Sequence, residues 1–127
     1  MPATILVVDD SVDTRDLLHL YLTGEGYTVM LAADGGEALY RAKAERPDMI
    51  ITDINMPNMD GHTLIRELRA EGGFADTPIV ALTAYGSEAA EEARKCGADA
   101  VFAKPMNFDE LLAEVARLLA SPGAEKR

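Results

Sequence analysis

Residues 5–10 read Ile5-Leu6-Val7-Val8-Asp9-Asp10: four consecutive apolar residues closed by two carboxylates. An apolar run this short, bounded by polar residues, reads as a strand buried on both faces. The pattern recurs along the chain. Met49-Ile50-Ile51-Thr52 precedes Asp53, Ile79-Val80-Ala81-Leu82 precedes Thr83, and Ala100-Val101-Phe102-Ala103 precedes Lys104. In a parallel α/β sheet the carboxyl ends of the strands share one edge, and ligands bind there. Three carboxylates, a hydroxyl and an ammonium are therefore expected to meet in one cleft. Like charges brought so close repel unless a cation sits among them.

Helical patterns fill the intervals between these runs. A helix over 12–22 carries Leu17, Leu18, Tyr21 and Leu22 on one face and stops at Gly24 or Gly26. Tyr27–Ala32 reads as a further strand. Asp34, with Glu37 three residues on, has the form of a capping box for a helix over 36–44. Pro47 ends the next connection, and residues 56–61 (Met56-Pro57-Asn58-Met59-Asp60-Gly61) are a turn by composition. Leu64, Ile65 and Leu68 mark a third helix. Ser87–Lys95 is a fourth, with an alanine face of Ala89, Ala90 and Ala93 and Gly97 at its end. Asn107 and Glu110 cap a fifth, which presents Leu111, Leu112, Val115, Leu118 and Leu119 before Ser121-Pro122-Gly123 ends it.

Five β-then-α units predict a doubly wound parallel sheet with right-handed crossovers and helices on both faces. Units of this length favour the flavodoxin-like strand order 2-1-3-4-5, whose switch point lies between the strands ending at Asp9-Asp10 and at Asp53. The expected organisation is one domain over residues 1–120, with 121–127 as a tail or the start of a linker.

Composition narrows the function classes. A chain of 127 residues, 48% hydrophobic and 27% charged, is sized and composed like one globular domain. No apolar run approaches the roughly 20 residues of a membrane span. Met1-Pro2-Ala3-Thr4 leads into a strand without a signal-like stretch. Cys96 stands alone, so no internal disulfide forms, and a cytoplasmic location is the expectation. A net charge of −10 disfavours direct nucleic-acid binding and suits docking to basic protein surfaces.

Taken singly, each reactive residue is ordinary. An Asp after a strand is usually a turn residue or a helix cap, and a lysine is usually solvated. Their joint placement, each ending a different strand on one edge, gives them meaning. Asp10 and Asp53 at adjacent strand ends offer hard oxygen ligands suited to Mg2+ or Mn2+ rather than zinc. With the cluster neutralised, Asp53 can act as an oxygen nucleophile towards a phosphoryl group, with Lys104 and Thr83 at the phosphoryl oxygens.

The motifs just quoted, together with Leu82-Thr83-Ala84, Gly97-Ala98-Asp99 and Lys104-Pro105, resemble the receiver domain of two-component response regulators from about Thr4 to Ala120. The resemblance implies that Asp53 is the phosphoacceptor, taking its phosphoryl group from a histidine-kinase phosphohistidine. It also implies that Asp10, Asp53 and the Asn55 carbonyl bind Mg2+ directly, that Asp9 acts through a water, and that Thr83 and Lys104 contact the phosphoryl group. The Lys104-Pro105 bond is expected to be cis. Partners would be a sensor histidine kinase or histidine phosphotransfer protein and a downstream protein target, with no nucleic acid or membrane. Such a domain catalyses only its own phosphorylation and dephosphorylation. One departure stands out: the family commonly has Tyr or Phe three residues before the lysine, where this chain has Val101, with Phe102 on the opposite side of the strand. Tyr85, two residues after Thr83, is the aromatic offered in its place. Asn55 and Tyr85 also take the positions that tune water access to the phosphoaspartate.

Two other readings use the same fold. An aspartyl-phosphate phosphatase of the haloacid-dehalogenase type would need an Asp-x-Asp loop and a cap, but the strand ends Asp9-Asp10 and no cap fits. A flavin mononucleotide carrier would need a Ser/Thr/Gly-rich phosphate loop where the two aspartates stand. His19 and His62 read as surface residues, Cys96 as a small packing residue, and Met56 and Met59 as turn residues covering the cleft.

Overall fold

A computed structural model describes residues 2–84 and 86–120. Five strands and five helices alternate: β1 (Thr4–Val8), α1 (Val12–Gly24), β2 (Thr28–Ala32), α2 (Gly35–Glu45), β3 (Met49–Asp53), α3 (Gly61–Ala70), β4 (Ile79–Thr83), α4 (Ser87–Cys96), β5 (Ala100–Ala103) and α5 (Phe108–Ala120). The strands form one parallel sheet in the order β2-β1-β3-β4-β5. This is the predicted architecture.

Strand alternation divides the core into two layers. Leu6, Val8, Met30, Ile50, Ile79 and Ala81 face α2, α3 and α4, where Ala38, Ala42, Leu64, Ile65, Leu68 and Ala93 meet them. Ile5, Val7, Met49, Ile51, Val80 and Leu82 face α1 and α5, through Leu18, Leu22, Leu111, Val115 and Leu118. Burial of each Val, Leu, Ile or Met side chain here contributes about 1.5–3 kcal/mol, so both layers hold the sheet between its helices.

Helix starts follow the capping residues. Asp34 accepts the Glu37 N–H, while Glu37 reaches back to the N–H of Ala33, one residue before the cap. Asn107 likewise accepts the Glu110 N–H. Helix α4 has Gly86 at its N-cap and so no side-chain cap.

Several details depart from expectation. Helix α1 runs on through Gly24, and it is Gly26 that takes the positive φ of 96°. Leu18 and Leu22 are fully buried, but Leu17 and Tyr21 lie 45% and 41% exposed. They sit 100° round the helix from the buried pair, beyond the cover that α5 gives. Tyr21 instead stacks on Phe108 with ring centroids 4.2 Å apart. Strand β5, expected to be buried like the others, is half-buried because it is the sheet edge, and Ala103 is exposed. In α4, Ala93 and Cys96 are buried rather than Ala89 and Ala90. The loop residue Phe74, 1% exposed, joins the first layer without any periodic signal. The tail (121–127) and Tyr85 lie outside the described residues.

Candidate functional site

Four strands deliver the anticipated groups to one edge. Asp9 and Asp10 follow β1, Asp53 closes β3, Thr83 closes β4 and Lys104 follows β5. The register keeps them level, with Asp53 beside Leu82 and Thr83 beside Ala103. Carboxylate oxygens of Asp9, Asp10 and Asp53 lie within 4.8 Å of one another. Asp9 and Asp53 are buried, and Asp10 is open to solvent. Lys104 Nζ stands 2.8 Å from Asp9 Oδ2 and 3.2 Å from Asp53 Oδ2. One ammonium thus meets two of three clustered carboxylates.

The imbalance shows in the acidities. Burial pushes the Asp53 carboxyl above its ordinary range and the Asp9 charge adds to the push; Lys104 and the Asn55 N–H oppose both. Burial alone would lower the Lys104 ammonium, but the hydrogen bond and charge of Asp9, then the charge of Asp53, hold it above its ordinary value. Lys104 therefore stays charged and shared between two acids.

The loops fix these groups in place. Asp9 donates its N–H to the Ala32 carbonyl and its Oδ1 accepts the Ser11 N–H at 2.9 Å. Ser11 caps α1 through the Thr14 N–H. Asp53 Oδ1 accepts the N–H of the exposed Asn55 at 3.3 Å. Beyond it, Gly61 donates to the Ile54 carbonyl at 2.8 Å and packs so tightly that an added Cβ would lie 2.4 Å from the Asp53 carbonyl oxygen. Only glycine fits there, which explains the Asp60-Gly61 pair. Asp60 caps α3 through the Thr63 N–H, and that bond chiefly holds its carboxyl below the usual range. Thr83 is buried, its carbonyl accepts the Lys104 N–H, and the Lys104–Pro105 peptide is cis.

Other expectations change. Met56 is buried in the α2–α3 layer, and Met59 is partly buried against it beside Gly35. His19 is exposed, but His62 is half-buried with Nε2 3.4 Å from the Ala89 carbonyl, because α4 packs across the start of α3. Val101 packs in the first layer and Phe102 in the second, on opposite sides as predicted.

Two contacts at this edge had not been foreseen. Thr52 Oγ1 donates to the Asp53 carbonyl at 2.9 Å, and Arg15 Nη1 donates to the Asp9 carbonyl at 2.7 Å. Arg15 did leave a signal, since it is a cation in the opening residues of a helix, where the dipole favours anions.

Residues 5–116 match the family described as the response regulator receiver domain. The chain belongs to the response regulator receiver family. Receiver domains are regulatory modules rather than conventional enzymes. This receiver is 43% identical over 120 residues to the response regulator MprA of Mycolicibacterium vanbaalenii, covering 94% of this chain and 51% of that protein. It thus spans about half the length of the curated relatives it matches. A putative response regulator from Chloroflexus aurantiacus superposes with a TM-score of 0.91 at 38% identity, covering 94% of this chain and 99% of that one. The receiver domain of the sensor histidine kinase PA1611 from Pseudomonas aeruginosa has a TM-score of 0.88 at 33% identity, covering 95% and 100%; that structure has a magnesium ion coordinated in its active site cleft. No helix among the described residues is long and apolar enough to cross a membrane.

Proposed function

We propose that Asp53 of this receiver accepts a phosphoryl group from the phosphohistidine of a sensor histidine kinase or histidine phosphotransfer protein. The reaction depends on Mg2+, and the phosphorylated state acts through protein contacts or onward phosphorelay. The observation that carries this reading is the under-compensated cluster of Asp9, Asp10 and Asp53, with oxygens within 4.8 Å and a single lysine between two of them.

The donor set fits a hard divalent cation: carboxylate oxygens of two strands, close enough to share one ion, with solvent at Asp10. Asp10, Asp53 and the Asn55 carbonyl would hold Mg2+ directly and Asp9 through water, with Mn2+ as a substitute. When bound, Mg2+ supplies the positive charge that lets an anionic phosphoryl group approach three acids.

The remaining chemistry falls to the chain's own residues. An Asp53 carboxylate oxygen attacks phosphorus and forms an O–P bond as the P–N bond to the donor imidazole breaks. The bonding pair leaves on the imidazole nitrogen, which takes a proton from solvent. The Lys104 ammonium meets the phosphoryl oxygens as a point charge and the Thr83 hydroxyl donates to another of them. Positioning and charge stabilisation are what such a transfer chiefly requires. The product stays on the chain, so the protein works as a switch. A groove of about 310 Å³ is lined by Thr14, the exposed Leu17, Lys104, Pro105, Met106 and Phe108. A donor protein would dock there, next to the lysine.

Phosphoramidate, whose P–N bond stands in for phosphohistidine, tests the reading. With Mg2+ it should yield an adduct labile to hydroxylamine, as an acyl phosphate is, and Asp53→Asn should yield none. A hydroxylamine-stable adduct, or one that persists in Asp53→Asn, would place the chemistry elsewhere.

A further inference from the structure

We infer that Arg15 is a positioning residue for Asp10, acting through the peptide plane that joins Asp9 to Asp10. The inference rests on the cation-binding reading above and adds a residue to it. Asp10 is the exposed member of the acid cluster, and its carboxylate accepts no hydrogen bond among the described residues. The backbone therefore sets where this side chain starts, with no side-chain bond to redirect it. Asp9, by contrast, is held at every polar atom: its N–H by the Ala32 carbonyl, Oδ1 by the Ser11 N–H, Oδ2 by Lys104, and its carbonyl by Arg15 at 2.7 Å. The Asp9 carbonyl and the Asp10 N–H belong to one rigid plane. A guanidinium that fixes the carbonyl fixes the rotation of that plane, and with it the vector along which the Asp10 side chain leaves the turn.

The placement of Arg15 supports a dedicated role. It is the fourth residue of α1, and helical side chains lean towards the N-terminus, so its stem reaches back over the Ser11 cap. A cation there opposes the helix dipole. Every other Lys or Arg within a helix of the described residues lies in the second half of its helix. Helical packing does not call for Arg15 at this point, whereas the β1–α1 turn does.

Charge and positioning predict opposite signs, which makes the test decisive. Removing a positive charge beside an acid cluster would by itself tighten cation binding. Loss of positioning weakens it. Mg2+ titration by calorimetry on the full chain should show Arg15→Met binding about 5-fold more weakly than the parent, with Arg15→Lys in between, and with little change in Tm; loss of groups that support a ligand typically weakens metal affinity by about 10-fold or more. Saturating Mg2+ should restore the phosphoramidate rate of Arg15→Met to near the parent's. Unchanged or tighter Mg2+ binding in Arg15→Met overturns the inference while leaving the receiver reading intact. A parent chain that binds no Mg2+ overturns both.

Discussion

The two edges of the sheet each gather polar groups around one long cation, and they do so to opposite effect. At the amino edge, Arg69 from α3 donates to the carbonyls of Phe74, Thr77 and Gly97 at 2.7 Å and to Asp99 Oδ2 at 2.9 Å, while Asp99 also accepts the Ile79 N–H. One charge meets one charge, and the remaining donors go to neutral loop carbonyls, of which Phe74's also accepts the Thr77 N–H. At the carboxyl edge, Lys104 meets two buried carboxylates with a third alongside. The first arrangement is electrically closed and ties three segments together. The second is open, and its repulsion appears as the raised pKa of Asp53. With reactivity proposed for the carboxyl edge and a structural tie at the amino edge, changes at the two should separate cleanly.

The largest effect is expected at the closed edge. Arg69→Ala removes a guanidinium that is mostly buried and takes a donor from the Thr77 and Gly97 carbonyls, which should destabilise the fold by about 2 kcal/mol. Chemical denaturation would show this, and Mg2+ affinity should be unaltered. A comparable loss of Mg2+ binding would mean that the edges are coupled.

At the open edge the sign should reverse. Asp53→Asn relieves repulsion in a buried site, so its Tm should exceed the parent's by a few degrees. The pH dependence follows from the upward shift of Asp53. A carboxyl that binds its proton more tightly when folded stabilises the fold below its unfolded value and loses that contribution as pH rises through the folded one. The Tm advantage of Asp53→Asn should therefore vanish in acid and open as pH rises above the ordinary carboxylate range. Mg2+ should close it again by stabilising only the parent. A gap that is flat with pH would contradict the account of the cluster.

The smallest effect belongs to a carboxylate outside the cluster. Asp60→Ala removes the cap of α3 at a cost of about 1 kcal/mol. Because the Asp60 carboxyl is held low, that contribution is present above its unfolded value and lost as pH falls through the folded one. Thermal scans from acid to neutral pH should show this variant and the parent converging in acid.

Most of the architecture was legible because the runs ending at Val8, Ile51 and Leu82 are apolar throughout, as suits central strands, and because Asp34, Asn107 and the glycines announce helix ends. The site was legible for the same reason: strand ends in a parallel sheet share an edge, so Asp53, Thr83 and Lys104 could be brought together without coordinates. What escaped depends on long reach or partial cover. Arg69 bridges segments up to 30 residues away, and no local pattern records that. Leu17 and Tyr21 carry the right periodicity, yet how wide a stripe α5 covers is a tertiary fact. Phe74 is one aromatic in a polar loop. Arg15 was visible only as a cation at the wrong end of a helix.

The most direct measurement is intact mass after incubation with acetyl phosphate, with and without Mg2+, on the parent, Asp53→Asn and Asp99→Asn. The account predicts one Mg2+-dependent phosphoryl adduct on the parent and on Asp99→Asn, and none on Asp53→Asn. No adduct on the parent, or an adduct that survives Asp53→Asn, would contradict it.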